Sequence, residues 1–314
     1  MKPILRNIIH RLLQGLLVLF VLGTLTFFLV HALPYGPFQD EKAIPDHVRE
    51  HLEQLHGYDK PLLTQYVLRL RNIVSGDLGT SIKVMEGREV GEILSQAFPV
   101  SLTLGLIAIA IAICIGIPAG ILAAIRRNSS FDYLIMGAAM FGICLPNFVI
   151  GPMLAELFGV RLGWLPASGW DYGNPAYMVL PAFTLGLVSA AYLSRLTRAG
   201  MLEILHQDFI RTARAKGQKG HIIIIRHALR GGLIPAIAFL GPAFAGTISG
   251  SVVVEAIFEI PGIGSLFIKA IETGDETLIM GPVLLYGTLI VTANFLVDLI
   301  QLWLNPRLRT RAAA

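Results

Sequence analysis

Long unbroken apolar runs, rather than alternating ones, dominate this chain. Six stretches reach the roughly 20 mostly apolar residues that a bilayer crossing needs. They are approximately Leu12–Val30, Val100–Ile125, Tyr133–Phe158, Met178–Leu193, Leu233–Val254 and Pro282–Leu304. In lipid, every backbone N–H and C=O must be satisfied within the protein, so each run predicts a spanning helix. The pattern changes between the first two runs. In the segment Leu33–Pro99, residues Leu62, Leu63, Tyr66, Val67, Leu70 and Ile73 recur at helical spacing, with Lys60-Pro61 ahead and Gly76-Asp77 behind. That spacing predicts an amphipathic helix lying along a membrane face, with a small ligand-binding module as the alternative.

Composition agrees with the pattern. Hydrophobic residues make up 54% of the chain and charged residues 15%, against about 25% charged in soluble domains. Mean hydropathy is +0.66. The net charge of +4 does not point to nucleic acid, because the basic residues gather at alternating ends of the runs. Lys2, Arg6 and Arg11 precede the first run, Arg126 and Arg127 follow the second, and Arg307, Arg309 and Arg311 close the chain. Eight more lie from Arg195 to Arg230, whereas the short loops of opposite parity carry only Arg161 and Lys269. Basic residues stay on the cytoplasmic side, so both termini are expected there.

The chain thus reads as an all-α integral membrane protein of about six spans. Residues 1–31 form the N-terminus and first span, and 32–98 an extracytoplasmic helical segment. Residues 99–306 form a five-helix core with an inner loop at 195–230 and an outer loop at 255–281, and 307–314 a cytoplasmic tail. Val30-His31-Ala32 loosely resembles a signal-peptide cleavage site, but the apolar run exceeds the usual length of about 7–15 residues, so a retained span is expected.

Polar and helix-breaking residues within the spans modify this picture. Pro118, Pro146, Pro152, Pro181, Pro235, Pro242 and Pro282 are tolerated in lipid only where neighbouring helices satisfy the freed backbone, which implies a bundle. Gly116 with Gly120 and Gly246 with Gly250 are small-xxx-small pairs suited to close helix packing. The small residues of the fifth span also suit the wall of a pathway. Cys114 and Cys144 read as small packing residues, and Glu156 as a side chain reaching the interface. Asn294 and Asp298 are intramembrane polar residues, either functional or bonding across helices.

Several chemistries are missing. No lysine is followed by Ser or Thr, so there is no Walker A loop, and no His-Glu pair or Gly-x-Ser-x-Gly elbow occurs. No catalytic or metal-ligating set is expected. The informative stretch is DFIRTARAKG, Asp208 to Gly217, followed by QKGHIIIIRHALRGGLIP. It reads as a short helix beginning after an Asp208 N-cap, a turn at Gly217, and a second helix running into the next span. Phe209, Ile210 and Ala213 supply an apolar side, and Arg211 and Arg214 share another face. A basic loop held near anionic lipid is the plain alternative.

This stretch resembles the cytoplasmic coupling loop of ABC importer permeases, whose pattern is Glu-Ala-Ala, three residues, then Gly. Arg211-Thr212-Ala213 occupies the first three positions, Gly217 the glycine and Leu229 a later leucine. Arg211 in place of glutamate and Arg230 in place of the terminal proline look like the peptide-transporting branch. So do YDKPLLTQY, GDLGTS, EAIFEIPGIGSL and NFLVDLIQLWLNPRLR, which extend the resemblance over nearly the whole chain.

The resemblance implies a type I importer-like bundle in a bacterial inner membrane. It implies a second homologous permease, two cytoplasmic ATPases holding ATP and Mg, and an extracytoplasmic peptide-binding protein. No cofactor is implied in this chain. Asp208, Arg211, Thr212, Ala213, Arg214 and Gly217 would couple to an ATPase. Glu255, Phe258, Pro261, Gly262 and Gly264 would form an outer gate or contact the binding protein, with a tight turn as the alternative. Other substrates open to the same class are nickel chelates, glutathione or an oligosaccharide; a stand-alone carrier or channel is the rival class.

Overall fold

The computed structural model describes residues 2–32 and 57–304. The tail 307–314, with Arg307, Arg309 and Arg311, and most of the stretch between the first run and Gly57 lie outside the described residues. Helix α1 covers Lys2–His31, α2 Leu62–Val74, α3 Val90–Ile125 and α4 Ser130–Cys144. Helix α5 covers Asn147–Arg161 and turns π-helical from Ala155. Then come α6 (Ala176–Leu205), α7 (Asp208–Ala215), α8 (Gly220–Gly232, with a π-helical stretch Ile223–Ala228), α9 (Ile234–Ile257), α10 (Ile263–Thr273) and α11 (Glu276–Leu304). Among the described residues the only β pairing is an isolated bridge between Thr80 and Glu89.

Four helices, within α1, α3, α6 and α11, are long and apolar enough to cross a membrane alone, and the number rises to six if each of two bent pairs counts as one span. The bends divide two of the six apolar runs. The third run breaks between α4 and α5 at 105°. Pro146 cannot donate a backbone hydrogen bond and disfavours helical backbone at Leu145, which is extended at φ −88°, ψ 121°. Helices α8 and α9 meet at 51° around Leu233, with Pro235 in the first turn of α9. The second span also begins earlier than its apolar run, at Val90 instead of Val100.

The chain divides into two compact units. Of the described residues, one comprises 101–260 with 2–7 and 290–304, and α6 is its spine. A Cβ on Gly116 would meet the backbone oxygen of Ala190, one on Gly120 that of Ser194, and one on Gly186 that of Ala108. Helices α3 and α6 therefore touch backbone to backbone, as the first glycine pair predicts. Gly246 behaves differently, since a Cβ there would meet nothing within 4 Å. Ala112, Ala190, Leu193 and Ala236 form a buried cluster there. Cys114 and Cys144 are both exposed, not packed inside, because they fall on outward faces of α3 and α4. Glu156 pairs with Arg161 at 3.0 Å, both largely exposed.

The other unit comprises 8–100 and 261–289. Val90, Ile93, Leu94, Ile263, Leu278 and Ile279 lie in its core. Helix α2 follows the predicted limits closely, starting after Pro61 and leaving Leu63 71% exposed. Its Tyr66 hydroxyl meets Thr24 of α1 at 2.8 Å. The buried Asp275 caps α11 by accepting from Leu278 N at 3.1 Å. Its second oxygen accepts from Ser81 Oγ and from the amides of Ile82, Lys83 and Val84 at 2.6–3.1 Å. Nearby, burial and the Glu276 carboxylate push the Tyr58 phenol far above its ordinary range, so it stays a donor.

Candidate functional site

Helix α7 is short, but both ends are defined. Gln207, in extended backbone at φ −74°, ψ 153°, occupies the N-cap, and its side chain makes no capping bond. Asp208 is therefore the first helical residue, not the cap. An acid there still suits the positive end of the helix dipole. At the far end Gly217 has φ +74°. Its amide bonds Arg214 O at 2.9 Å, and the amide of Gln218 bonds Ala213 O at 3.3 Å. This is the paired closure of a Schellman motif, and it demands the left-handed conformation that glycine adopts at no steric cost.

The apolar side of α7 is divided. Ile210 and Ala213 are buried in a cluster with Ala124 of α3, Met201 of α6, and Ile223 and Ala228 of α8. They anchor the helix to its own chain. Phe209 is 46% exposed. Asp208, Arg211, Thr212 and Arg214 are exposed too. Arg211 Nη1 lies 3.4 Å from Asp208 Oδ1, an exposed pair of little energetic weight. What results is a rigid basic knob, with one aromatic side chain on its flank, seated on the ends of α3, α6 and α8.

A second polar centre lies in the same unit as the knob. Arg198 of α6 donates from Nε to Asp132 Oδ1 at 2.6 Å and from Nη2 to Asp132 Oδ2 at 2.7 Å. Asp132 is only 2% exposed. The amide of Asn128 also donates to it at 3.0 Å, and Ser129 Oγ accepts from the Asp132 amide at 3.4 Å. Sequence reasoning missed this pair. The signal available was Ser129-x-x-Asp132, a helix-start pattern, but nothing in the sequence indicates that Arg198 meets it. Two turns beyond Arg198, His206 Nε2 accepts from Arg127 Nη1 at 3.0 Å.

The stretch expected to form an outer gate is a turn followed by a helix. Glu255 and Phe258 close α9 and are both buried, at 0% and 1% exposure. A Cβ on Gly151 would lie 3.3 Å from the Phe258 ring, and Phe258 O accepts from Gly169 N at 2.8 Å. Glu259 then takes φ +55°, and the amide of Ile260 bonds Glu255 O at 2.8 Å. Pro261 is exposed, and Gly262 caps α10 in extended backbone, φ −102°, ψ −176°, with its carbonyl accepting from Leu266 N and Ser265 Oγ. Gly264 is buried in the first turn of α10.

Asn294 and Asp298 sit one turn apart on α11. A Cβ on Gly241 of α9 would lie 2.8 Å from Asn294 Oδ1, so this polar side chain occupies the notch that the glycine leaves. Asp298 is half-buried. Among the described residues no group of three or more His, Cys, Asp or Glu side chains could hold a metal ion. A cavity of about 620 Å³ is apolar and lies among α1, α2, α3 and α11, lined by residues such as Leu16, Phe20, Leu70, Phe98 and Leu284.

Comparison with known proteins extends this geometry. The oligopeptide transport system permease protein OppB of Haemophilus influenzae is 42% identical over 305 residues, covering 97% of this chain and 99% of that protein. The dipeptide transport system permease protein DppB of Bacillus subtilis is 40% identical over 304 residues, covering 97% and 98% respectively. Among solved structures, a chain of the MetNI methionine ABC transporter superposes with a TM-score of 0.56 at 17% identity, over 68% of this chain and 96% of that one. The fold is thus that of type I ABC importer permeases. Residues 4–105 match the N-terminal part described for binding-protein-dependent transport system membrane components. Residues 116–310 match the binding-protein-dependent transport system inner membrane component, and the chain belongs to that family.

Proposed function

We propose that this chain is the transmembrane permease subunit of an ATP-driven importer of short peptides, crossing a bacterial inner membrane with both termini in the cytoplasm. The observation that carries the reading is α7, a short basic knob closed by Gly217 and anchored by Ile210 and Ala213. It lies in a chain that matches oligopeptide and dipeptide permeases over almost its full length. The chain itself does no bond-making chemistry. A second permease completes the pathway, two cytoplasmic ATPases bind ATP and Mg, and an extracytoplasmic peptide-binding protein delivers substrate.

In this mechanism Phe209, Arg211, Thr212 and Arg214 enter a groove on an ATPase. Closure of the ATPase pair moves α7, and the buried anchors pass that displacement to α3, α6 and α8. Access to the pathway then alternates because the bundle has two packings that nucleotide and binding protein bias together. On the outer side the turn Glu259–Pro261 is the exposed element available to the binding protein, with Glu255 and Phe258 supporting it from inside.

The test is reconstitution of the full complex in proteoliposomes with a labelled tripeptide and ATP. Uptake that needs ATP, the binding protein and this chain supports the reading. Peptide uptake that persists without any ATPase subunit would overturn it in favour of a stand-alone carrier.

A further inference from the structure

We infer that Asp132 and Arg198 are positioning residues that make α4 move with α6 when the α7 knob is displaced, an inference that rests on α7 being the ATPase-docking element. The pair is bidentate and one member is almost wholly buried, with both carboxylate oxygens engaged by the guanidinium. Stability is a poor reason for such a pair, because taking two charges out of water costs about as much as their attraction returns. What a planar fork on a carboxylate supplies is a single allowed register between the two helices that carry it.

Its place in the fold makes that register useful. Arg198 stands two turns before the end of α6, whose last turns pack with the anchors of α7 through Met201, Leu202 and Leu205. Asp132 stands in the first turn of α4, reached by a tight turn in which Asn128 has φ +60°. Arg127, in that turn, donates to His206, the residue that ends α6 and precedes the knob. The turn between α3 and α4 is thus tied to α6 at two levels. Beyond α4 the chain turns through 105° at Leu145-Pro146, where an extended residue and a proline interrupt the helical hydrogen bonds. Displacement of the knob is therefore carried into α4 by the ion pair as far as that break.

The test uses the complete reconstituted importer carrying Asp132→Asn, Arg198→Gln or Arg198→Lys. Asp132→Asn and Arg198→Gln should still co-purify with the ATPases and keep basal hydrolysis. Stimulation by loaded binding protein should fall about tenfold, the size of a typical coupling term, and more ATP should be spent per peptide. Arg198→Lys keeps the charge without the fork and should recover part of the stimulation. Loss of ATPase association would instead indict the docking face, which Arg211→Glu probes separately.

Spin labels at the exposed Tyr133 and Arg195, in a background with the pair intact, give a readout independent of variant folding. Their separation should be the same in nucleotide-free and ATP-trapped states. A change of several ångströms between those states, or full stimulation in both neutral variants, overturns the inference.

Discussion

The carboxylate of Asp275 accepts a 2.6 Å hydrogen bond from Ser81 Oγ, joining residues 194 positions apart in the chain. The same oxygen collects three consecutive amides, and the other caps α11, so one buried acid organises a loop and a helix start together. Asp275→Ala would leave the buried Ser81 hydroxyl and Leu278 amide and three partly buried amides without this acceptor, at about 3 kcal/mol in total. The expected outcome is a large drop in the detergent-solubilised unfolding temperature. Asp275→Asn, which keeps an acceptor oxygen, should recover part of that loss. Equal melting of Asp275→Ala and the parent protein would show that the cluster adds nothing.

The contact between α3 and α6 makes a second prediction. A side chain at Gly120 would enter the backbone of Ser194 and Arg198, leaving no flexible neighbour to yield. Gly120→Leu should therefore separate the helices, costing on the order of 3 kcal/mol as an overpacked site, and should reduce the amount of folded protein in the membrane. Gly246→Ala meets open space and should be nearly silent. Comparing the two by membrane yield and thermal melting checks the assignment of the tight contact to the first glycine pair.

Gly217 closes α7 with a positive φ, and a Cβ there would touch nothing within 4 Å. Replacement by valine would thus strain only the backbone, by about 1–2 kcal/mol. Insertion should be normal, while association with the ATPases should weaken. Arg211→Glu should weaken it without strain, with partial return when a carboxylate on the ATPase groove is made basic. Wild-type association and peptide-stimulated hydrolysis in both variants would reduce α7 to a membrane-flanking segment.

Orientation rests on the asymmetry of basic residues. In intact cells an impermeant thiol reagent should label a cysteine placed at Lys60 and spare one placed at Lys219, both in a background without Cys114 and Cys144. The reverse pattern would invert the protein in its membrane.

Local properties account for the features that are legible in the sequence. A run of apolar residues long enough to cross lipid must satisfy its own backbone, so its helical state follows from composition alone, as in α1, α6 and α11. Spacing likewise specifies α2, whose observed limits Leu62–Val74 match its periodic residues. Gly217 and the knob it ends are legible because a left-handed residue after a short helix is a local event.

Tertiary structure alone decides which faces meet. Ile210 and Phe209 are adjacent and both strongly apolar, yet one is buried under α3, α6 and α8 and the other faces outward, which depends on where α7 lands. The third run divides into α4 and α5 because Pro146 permits a bend, while the packing of both pieces against α6 sets its angle. The ion pair Asp132–Arg198 and the cluster around Asp275 are invisible in sequence for a stronger reason. A charged residue carries no mark of its partner when 66 or 194 positions separate them, and only the fold that buries the carboxylates makes their pairing obligatory.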